Sequence, residues 1–136
     1  MSRAGVVSVV DDDESIRQAV EGLLRSVGLH VAVFASAEEF LGSRAPQRTE
    51  CLVLDLSLPG MAGTELQRHL ARDGHRTPVI IVTARDDEET RVRALGAGAA
   101  GFLAKPFDGA VLLSVVQSAL ANRDRKRTGL RRRRSK

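Results

Sequence analysis

The chain is poor in the residues on which several classes of protein depend. Its 136 residues include one cysteine, Cys51, four phenylalanines and no tryptophan or tyrosine. One cysteine cannot cross-link a chain internally, which excludes a disulfide-framed secreted scaffold. Because Cys51 opens an apolar stretch, we expect an unreactive buried thiol. So few aromatic rings also argue against a stacking platform for single-stranded nucleic acid.

Long apolar runs are missing too. A membrane-spanning helix needs about 18 consecutive apolar residues, and no run in this chain approaches that length. The first residues show no charged leader followed by an apolar stretch, so no signal peptide is expected. We therefore expect a cytoplasmic protein without membrane contact. A chain of 136 residues fits a single domain that can bury a core without disulfides or metal.

The positive charge is concentrated at one end of the chain. The formal net charge is +4, but nine of the 21 Lys and Arg residues lie within residues 123–136. The other residues carry 12 basic and 16 acidic side chains and are mildly acidic. We predict a domain over residues 1–122 and a basic, disordered tail or linker over residues 123–136. A contact of this tail with nucleic-acid phosphates stays an open alternative.

Short apolar runs alternate with amphipathic stretches, which is typical of an α/β protein. Strands are expected at residues 6–10, 30–34, 51–55, 78–83 and 101–104, and helices at 14–27, 37–41, 64–70, 86–95 and 111–120. Residues 44–50 are polar and contain Pro46, so we expect a loop there. The near-continuous apolar strands predict a doubly wound, five-stranded parallel sheet with helices on both faces.

Polar residues lie at the ends of these strands, at the edge of the sheet where such folds bind ligands. They are Asp11, Asp12, Asp55, Thr83 and Lys105. Clustered carboxylates repel one another, and a divalent cation removes that repulsion. Oxygen ligands suit Mg²⁺ or Mn²⁺, and the absence of His and Cys among them argues against zinc. Lys105 and Thr83 offer a positive charge and a hydroxyl to a phosphoryl group, for which Asp55 is the candidate nucleophile.

Four segments then resemble the receiver domain of two-component response regulators. They are VVDDDE at 9–14, LVLDLSLPGM at 52–61, IVTA at 81–84 and KPF at 105–107. Their order and spacing agree with the family over residues 5–122. SAEEFL at 36–41 is further similar to the nitrogen-fixation regulator (FixJ-like) branch. The resemblance implies a flavodoxin-like (CheY-like) (βα)5 three-layer sandwich.

The same resemblance implies a role for each matching acid. Asp55 would accept a phosphoryl group from the phosphohistidine of a sensor histidine kinase. Asp11 and Asp12 would hold Mg²⁺ together with Asp55 and the backbone carbonyl of Ser57. The sequence pattern itself allows Asp12 or Asp13 to cap the first helix, and Asp13 is expected to be a cap and not a metal ligand.

It also implies a switch. Lys105 would contact the phosphoryl group, Thr83 would move toward it, and Phe102 would turn inward. The surface formed by the fourth helix, the fifth strand and the fifth helix would then change and control a phosphorylation-dependent homodimer, another partner or an output, in transcriptional regulation or a phosphorelay. The peptide bond before Pro106 is expected to be cis.

Two other functions use a similar architecture and stay open at this point. A haloacid-dehalogenase-type phosphohydrolase needs a second carboxylate two residues after its nucleophile, where this chain has Ser57. A flavodoxin-like binding module would want aromatic residues beside a flavin, and the chain has neither Trp nor Tyr. We therefore expect a phosphoacceptor and not a turnover enzyme.

Overall fold

The fold is described by a computed structural model, which covers the backbone of residues 6–135 and the side chains of residues 6–123. Its strands are β1 (Val6–Val10), β2 (His30–Phe34), β3 (Thr49–Leu54), β4 (Val79–Thr83) and β5 (Gly101–Ala104). All neighbours pair in parallel in the order β2-β1-β3-β4-β5. The five-stranded parallel sheet predicted from the apolar runs is confirmed.

Helices cover both faces of this sheet. They are α1 (Glu14–Arg25), α2 (Ala37–Leu41), α3 (Ala45–Arg48), α4 (Gly63–Arg72), α5 (Glu88–Gly96) and α6 (Gly109–Ser135). Buried residues of α1 and α6 pack on one face, and those of α2, α4 and α5 pack on the other. This is the three-layer arrangement of a (βα)5 sandwich.

The core is divided between the two faces because side chains alternate along a strand. In β1, Val7 and Val9 belong to the first core cluster and Val10 to the second. The first cluster is Val7, Val9, Val20, Leu24, Cys51, Val53, Ile80, Val82, Leu112, Val116 and Ala119. The second is Val10, Ala37, Phe40, Leu52, Leu54, Leu58, Leu66, Leu70, Val79, Ile81 and Ala94. Full burial of such an aliphatic side chain stabilises the fold by about 1.5–3 kcal/mol.

Side-chain caps begin the helices near the site. Asp13 accepts hydrogen bonds from the amides of Ser15 and Ile16 and caps α1, as expected. Ser36 accepts from the amide of Glu39 and caps α2. These caps satisfy amides that have no partner within their helix, and so they fix where each helix begins.

The loop predicted over residues 44–50 is wrong. Ala45–Arg48 forms the short helix α3, and β3 begins at Thr49. Pro46 lies in the first turn of α3, where no backbone N–H is needed. The Thr49 hydroxyl donates to the carbonyl of Ala45 at 2.7 Å and lies 2.6 Å from the Ser8 hydroxyl, so α3 is tied to the sheet.

The last helix continues past residue 122, where the sequence predicts the end of the domain. Its backbone is helical to Ser135, whereas a disordered tail was expected. Arg and Lys are good helix formers, so the composition does not oppose such an extension. The side chains beyond residue 123 lie outside the described residues, and the division into domain and basic tail stays a prediction. Within the described residues, no helix is long and apolar enough to cross a membrane.

Candidate functional site

The sheet places two aspartates side by side at its carboxyl edge. Asp11 follows β1, and its amide donates to the carbonyl of Phe34 in β2 at 3.1 Å. Asp55 follows β3, and its amide donates to the carbonyl of Val10 at 3.0 Å. Strand pairing therefore continues one residue beyond each strand and holds both aspartate backbones in register.

Three carboxylates meet at this edge. One oxygen each of Asp11, Asp12 and Asp55 lies within 4.8 Å of the others. Asp11 and Asp55 are buried, whereas Asp12 is exposed. The predicted acidic cluster is present, and a cation entering from the solvent side would meet Asp12 first.

Lys105 brings a positive charge into this cluster. Its amide donates to the Thr83 carbonyl at 2.9 Å, which places it at the end of β5. Its Nζ donates to Asp11 Oδ2 at 2.8 Å and to Asp55 Oδ2 at 3.1 Å. The Lys105 side chain is 16% exposed, and those of Asp11 and Asp55 are 3% and 6% exposed. The half-buried lysine and the two buried carboxylates form an ion-pair network that joins three strands.

The second oxygen of each buried carboxylate is held by its own turn. Asp11 Oδ1 accepts from the amide of Asp13 at 2.9 Å. Asp55 Oδ1 accepts from the amide of Ser57 at 3.0 Å. Each carboxylate is therefore fixed at both oxygens, one by Lys105 and one by the backbone two residues later.

Burial and pairing act in opposite directions on the charges of the site. Burial raises the pKa of Asp11 above its usual value, although the hydrogen bonds from Lys105 and from the Asp13 amide oppose that rise. Burial alone would lower the pKa of Lys105, but its hydrogen bonds to Asp11 and Asp55 outweigh burial and raise it. Lys105 therefore stays charged, and an additional cation would relieve the unfavourable burial of the Asp11 charge.

The structure places Thr83 and Phe102 in different surroundings. Thr83 ends β4, is fully buried, and its Oγ1 accepts from the amide of Arg85 at 3.2 Å. Phe102 in β5 packs against the second core cluster. The Arg91 guanidinium lies 4.8 Å from the centre of the Phe102 ring. The cluster itself therefore consists of Asp11, Asp12, Asp55 and Lys105. Thr83 lies next to the cluster, because its carbonyl accepts from the amide of Lys105.

Several features beside the cluster complete the site. The Lys105–Pro106 peptide bond is cis, as expected. An open cleft of about 670 Å³ adjoins the acids and is lined by Asp12, Leu56, Ser57, Leu58, Pro59, Thr64, Arg85, Thr90 and Arg93. Asp12 is the member of the cluster that lines this cleft.

Sequence reasoning missed Arg17, whose Nη1 donates to the Asp11 carbonyl at 2.7 Å. It also missed Arg93 in the lining of the cleft. Neither residue lies in a recognisable motif, and both contacts depend on how α1 and α5 are oriented on the sheet.

Comparison with known proteins identifies the class to which this fold and site belong. The model of the response regulator receiver domain family matches residues 7–117. The chain therefore belongs to the receiver domain family, whose members are generally regulatory and not turnover enzymes. This membership decides between the functions that the sequence left open, in favour of the receiver and against the phosphohydrolase and the flavodoxin-like module.

The relatives of this chain include a FixJ protein, which bears the name of the branch that the sequence suggested. Nodulation protein W of Bradyrhizobium diazoefficiens is 47% identical over 126 residues, which cover 93% of this chain and 55% of that protein. Transcriptional regulatory protein FixJ of Azorhizobium caulinodans is 40% identical over 114 residues, covering 84% of this chain and 54% of that protein. The solved structure of response regulator StyR superposes with a TM-score of 0.85 at 39% identity, over 98% of this chain and 67% of that one. The chain spans about half the length of the curated relatives it matches.

Proposed function

We propose that Asp55 accepts a phosphoryl group from the phosphohistidine of a sensor histidine kinase. The observation that carries this proposal is the Lys105 ammonium, which bonds Asp55 and Asp11 beside a third carboxylate. One carboxylate oxygen of Asp55 attacks phosphorus, the bond between phosphorus and the imidazole nitrogen breaks, and an aspartyl phosphate forms. Lys105 lies where negative charge accumulates on the phosphoryl oxygens. The cytoplasmic location expected from the sequence is part of this proposal.

The donor atoms of the cluster fit Mg²⁺. They are all carboxylate oxygens, the ligand type that Mg²⁺ prefers and that Mn²⁺ also accepts. We assign Asp11, Asp12, Asp55 and the backbone carbonyl of Ser57 as the groups that would hold the ion. When bound, Mg²⁺ supplies positive charge that offsets the repulsion between the carboxylates and the incoming phosphoryl group.

The added charge would operate the switch. A phosphoryl group brings about −1.5 to −2 charges near neutral pH, and Lys105 and the Thr83 hydroxyl are the groups at the ends of β5 and β4 that would meet it. The inward shift of these strand ends would release Phe102 from its place beneath Arg91. This conformational change would alter the surface formed by α5, β5 and α6.

That surface has the character of an interface. Three of its apolar side chains face solvent: Val92 is 57% exposed, Leu95 is 47% exposed and Val111 is 45% exposed. We infer that it mediates a phosphorylation-dependent homodimer or binds an output partner. The relative named a transcriptional regulatory protein favours a transcriptional output over a phosphorelay without one.

The test is phosphorylation by a small donor. Incubation with acetyl phosphate and Mg²⁺ should produce an adduct of one phosphoryl group by intact mass, stable in acid and labile in base. Asp55→Asn, which keeps the shape of the side chain and removes the nucleophile, should give none. An equal adduct in Asp55→Asn, or one that forms fully in excess chelator, would contradict the proposal.

A further inference from the structure

The loop between β3 and α4 forms one wall of the site. We call residues 56–62 the acceptor loop, because they follow Asp55 directly. The Ser57 amide holds Asp55 Oδ1, and Ser57 and Pro59 line the cleft. The position of this loop therefore decides where the Ser57 backbone lies relative to Asp55.

The acceptor loop is anchored at its ends by its own chain. The Gly63 amide donates to the Leu56 carbonyl at 3.2 Å, which closes the base of the loop. A Cβ at Gly63 would lie 2.6 Å from the Asp55 carbonyl oxygen, so this closure requires glycine. Leu58 is 8% exposed and packs in the second core cluster. The bend at residues 59–61 projects beyond these anchors.

A carboxylate from another element holds that bend. Glu38 Oε2, on α2, accepts from the Met61 amide at 2.9 Å across 23 residues of sequence. Gly60 has a φ of +74°, and a Cβ there would lie 2.6 Å from the same oxygen. The glycine therefore permits both the left-handed turn and the close approach of Glu38.

The element that carries Glu38 is itself firmly placed. Ala37 and Phe40, on either side of the Glu38–Glu39 pair, are buried in the second core cluster. The Ser36 hydroxyl caps α2, and Glu39 Oε1 accepts from the Ala35 amide at 3.0 Å. Glu38 and Glu39 thus offer a matched pair: both are exposed, but only the bond of Glu38 reaches the acceptor loop.

We propose that Glu38 is a positioning residue for the phosphoryl site, acting through the acceptor loop on the backbone of Ser57. The inference rests on the proposed function of that site. Without this bond the bend samples more conformations, and the Ser57 carbonyl is less often in the place that metal binding needs. The apparent affinity for the metal then falls in proportion to the fraction of time that the Ser57 carbonyl occupies the position that binds metal.

The primary test measures Mg²⁺ affinity without phosphorylation. The amide resonance of Ser57 is followed by NMR during titration with Mg²⁺ alone, in wild type, Glu38→Ala, Glu38→Gln and Glu39→Ala. Loss of a group that hydrogen-bonds to a metal ligand costs about 10–100-fold in metal affinity. Glu38 bonds the Met61 amide and not Ser57 itself, so we expect a smaller effect. We expect Glu38→Ala to bind Mg²⁺ about threefold to tenfold more weakly. Glu38→Gln should recover most of this loss because its amide oxygen can accept the same bond.

The matched control separates positioning from stability. Glu39→Ala removes a local bond from the same helix and should leave the Mg²⁺ affinity unchanged. Wild-type affinity in Glu38→Ala would overturn the inference, as would an equal loss in Glu39→Ala. If wild type itself shows no Mg²⁺-dependent shift at Ser57, the proposed function fails and the inference falls with it. The two failures are therefore distinguishable.

A double-variant cycle tests the contact directly. The added methyl of Gly60→Ala would push the flexible end of Glu38 off the Met61 amide, so this variant should also weaken Mg²⁺ binding. In a Glu38→Ala background that bond is already absent, and only the strain of the positive φ remains. We expect the loss of Mg²⁺-binding free energy in the double variant to be smaller than the sum of the two single losses. Full additivity would contradict the proposed role of the contact between Glu38 and the acceptor loop.

Discussion

Replacement of Lys105 by methionine tests the electrostatics of the site most severely. The substitution keeps an unbranched side chain and removes the ammonium that lies 2.8 Å from Asp11 Oδ2 and 3.1 Å from Asp55 Oδ2. Those carboxylates are only 3% and 6% exposed, so water cannot replace the lost partner readily. Two like charges would then remain buried beside Asp12.

The expected cost follows from this burial. Removal of one partner of a buried ion pair costs about 3–5 kcal/mol. The pKa of Asp11 is already raised by burial, so Asp11 can escape part of that cost by taking up a proton. We therefore expect Lys105→Met to lower the free energy of unfolding by about 2–3 kcal/mol at about pH 7.

The pH dependence has a defined sign. Loss of the hydrogen bond from Lys105 lets the pKa of Asp11 rise further above its value in the unfolded chain. A folded state that binds a proton more tightly than the unfolded state gains stability as the pH falls. The deficit of Lys105→Met relative to wild type should therefore shrink as the pH falls.

Urea unfolding followed by circular dichroism measures this difference. Arg93→Gln is the control, because it removes an exposed cation that pairs with Glu89 on α5 and should change stability little. Added Mg²⁺ should stabilise Lys105→Met more than wild type, since the cluster then lacks its own cation. Equal stability of Lys105→Met and wild type at about pH 7, or a deficit that does not change with pH, would refute the reasoning.

Three further predictions test other parts of the structure. Gly63→Ala should destabilise the protein by about 1–3 kcal/mol in urea unfolding, because its Cβ would meet the Asp55 backbone at 2.6 Å; wild-type stability would contradict this. Burial raises the pKa of the Cys51 thiol to about 12, so iodoacetamide should modify it at about pH 8 only after unfolding, and full labelling of the native protein would be the opposite result. Arg85→Ala should shorten the lifetime of the phosphorylated form if Arg85, which lines the cleft, partly screens attacking water, and an unchanged half-life would reject that role.

The parts of the site that the sequence predicts are those set by the ends of strands. Asp11, Asp55 and Lys105 each follow an apolar run, and parallel pairing brings such ends to one edge without further information. The cap at Asp13 was equally predictable, because an aspartate just before an amphipathic stretch satisfies free amides.

Contacts between distant side chains were not predictable in this way. The bond from Met61 to Glu38 depends on how α2 sits on the sheet, and the position of Arg91 over Phe102 depends on the orientation of α5. The helix α3 was missed for a different reason. Pro46 among polar residues indicates a loop, although proline is also well tolerated in the first turn of a helix.

Identification of the phosphorylated atom is the most direct test of the central claim. After reaction with acetyl phosphate and Mg²⁺, reduction with borohydride converts an aspartyl phosphate to homoserine, and peptide mass spectrometry locates the converted residue. We expect conversion at Asp55 alone, in the peptide that also contains Ser57. Conversion at Asp11 or Asp12, or a phosphoryl group carried on the hydroxyl of Ser57 or Thr83, would contradict it.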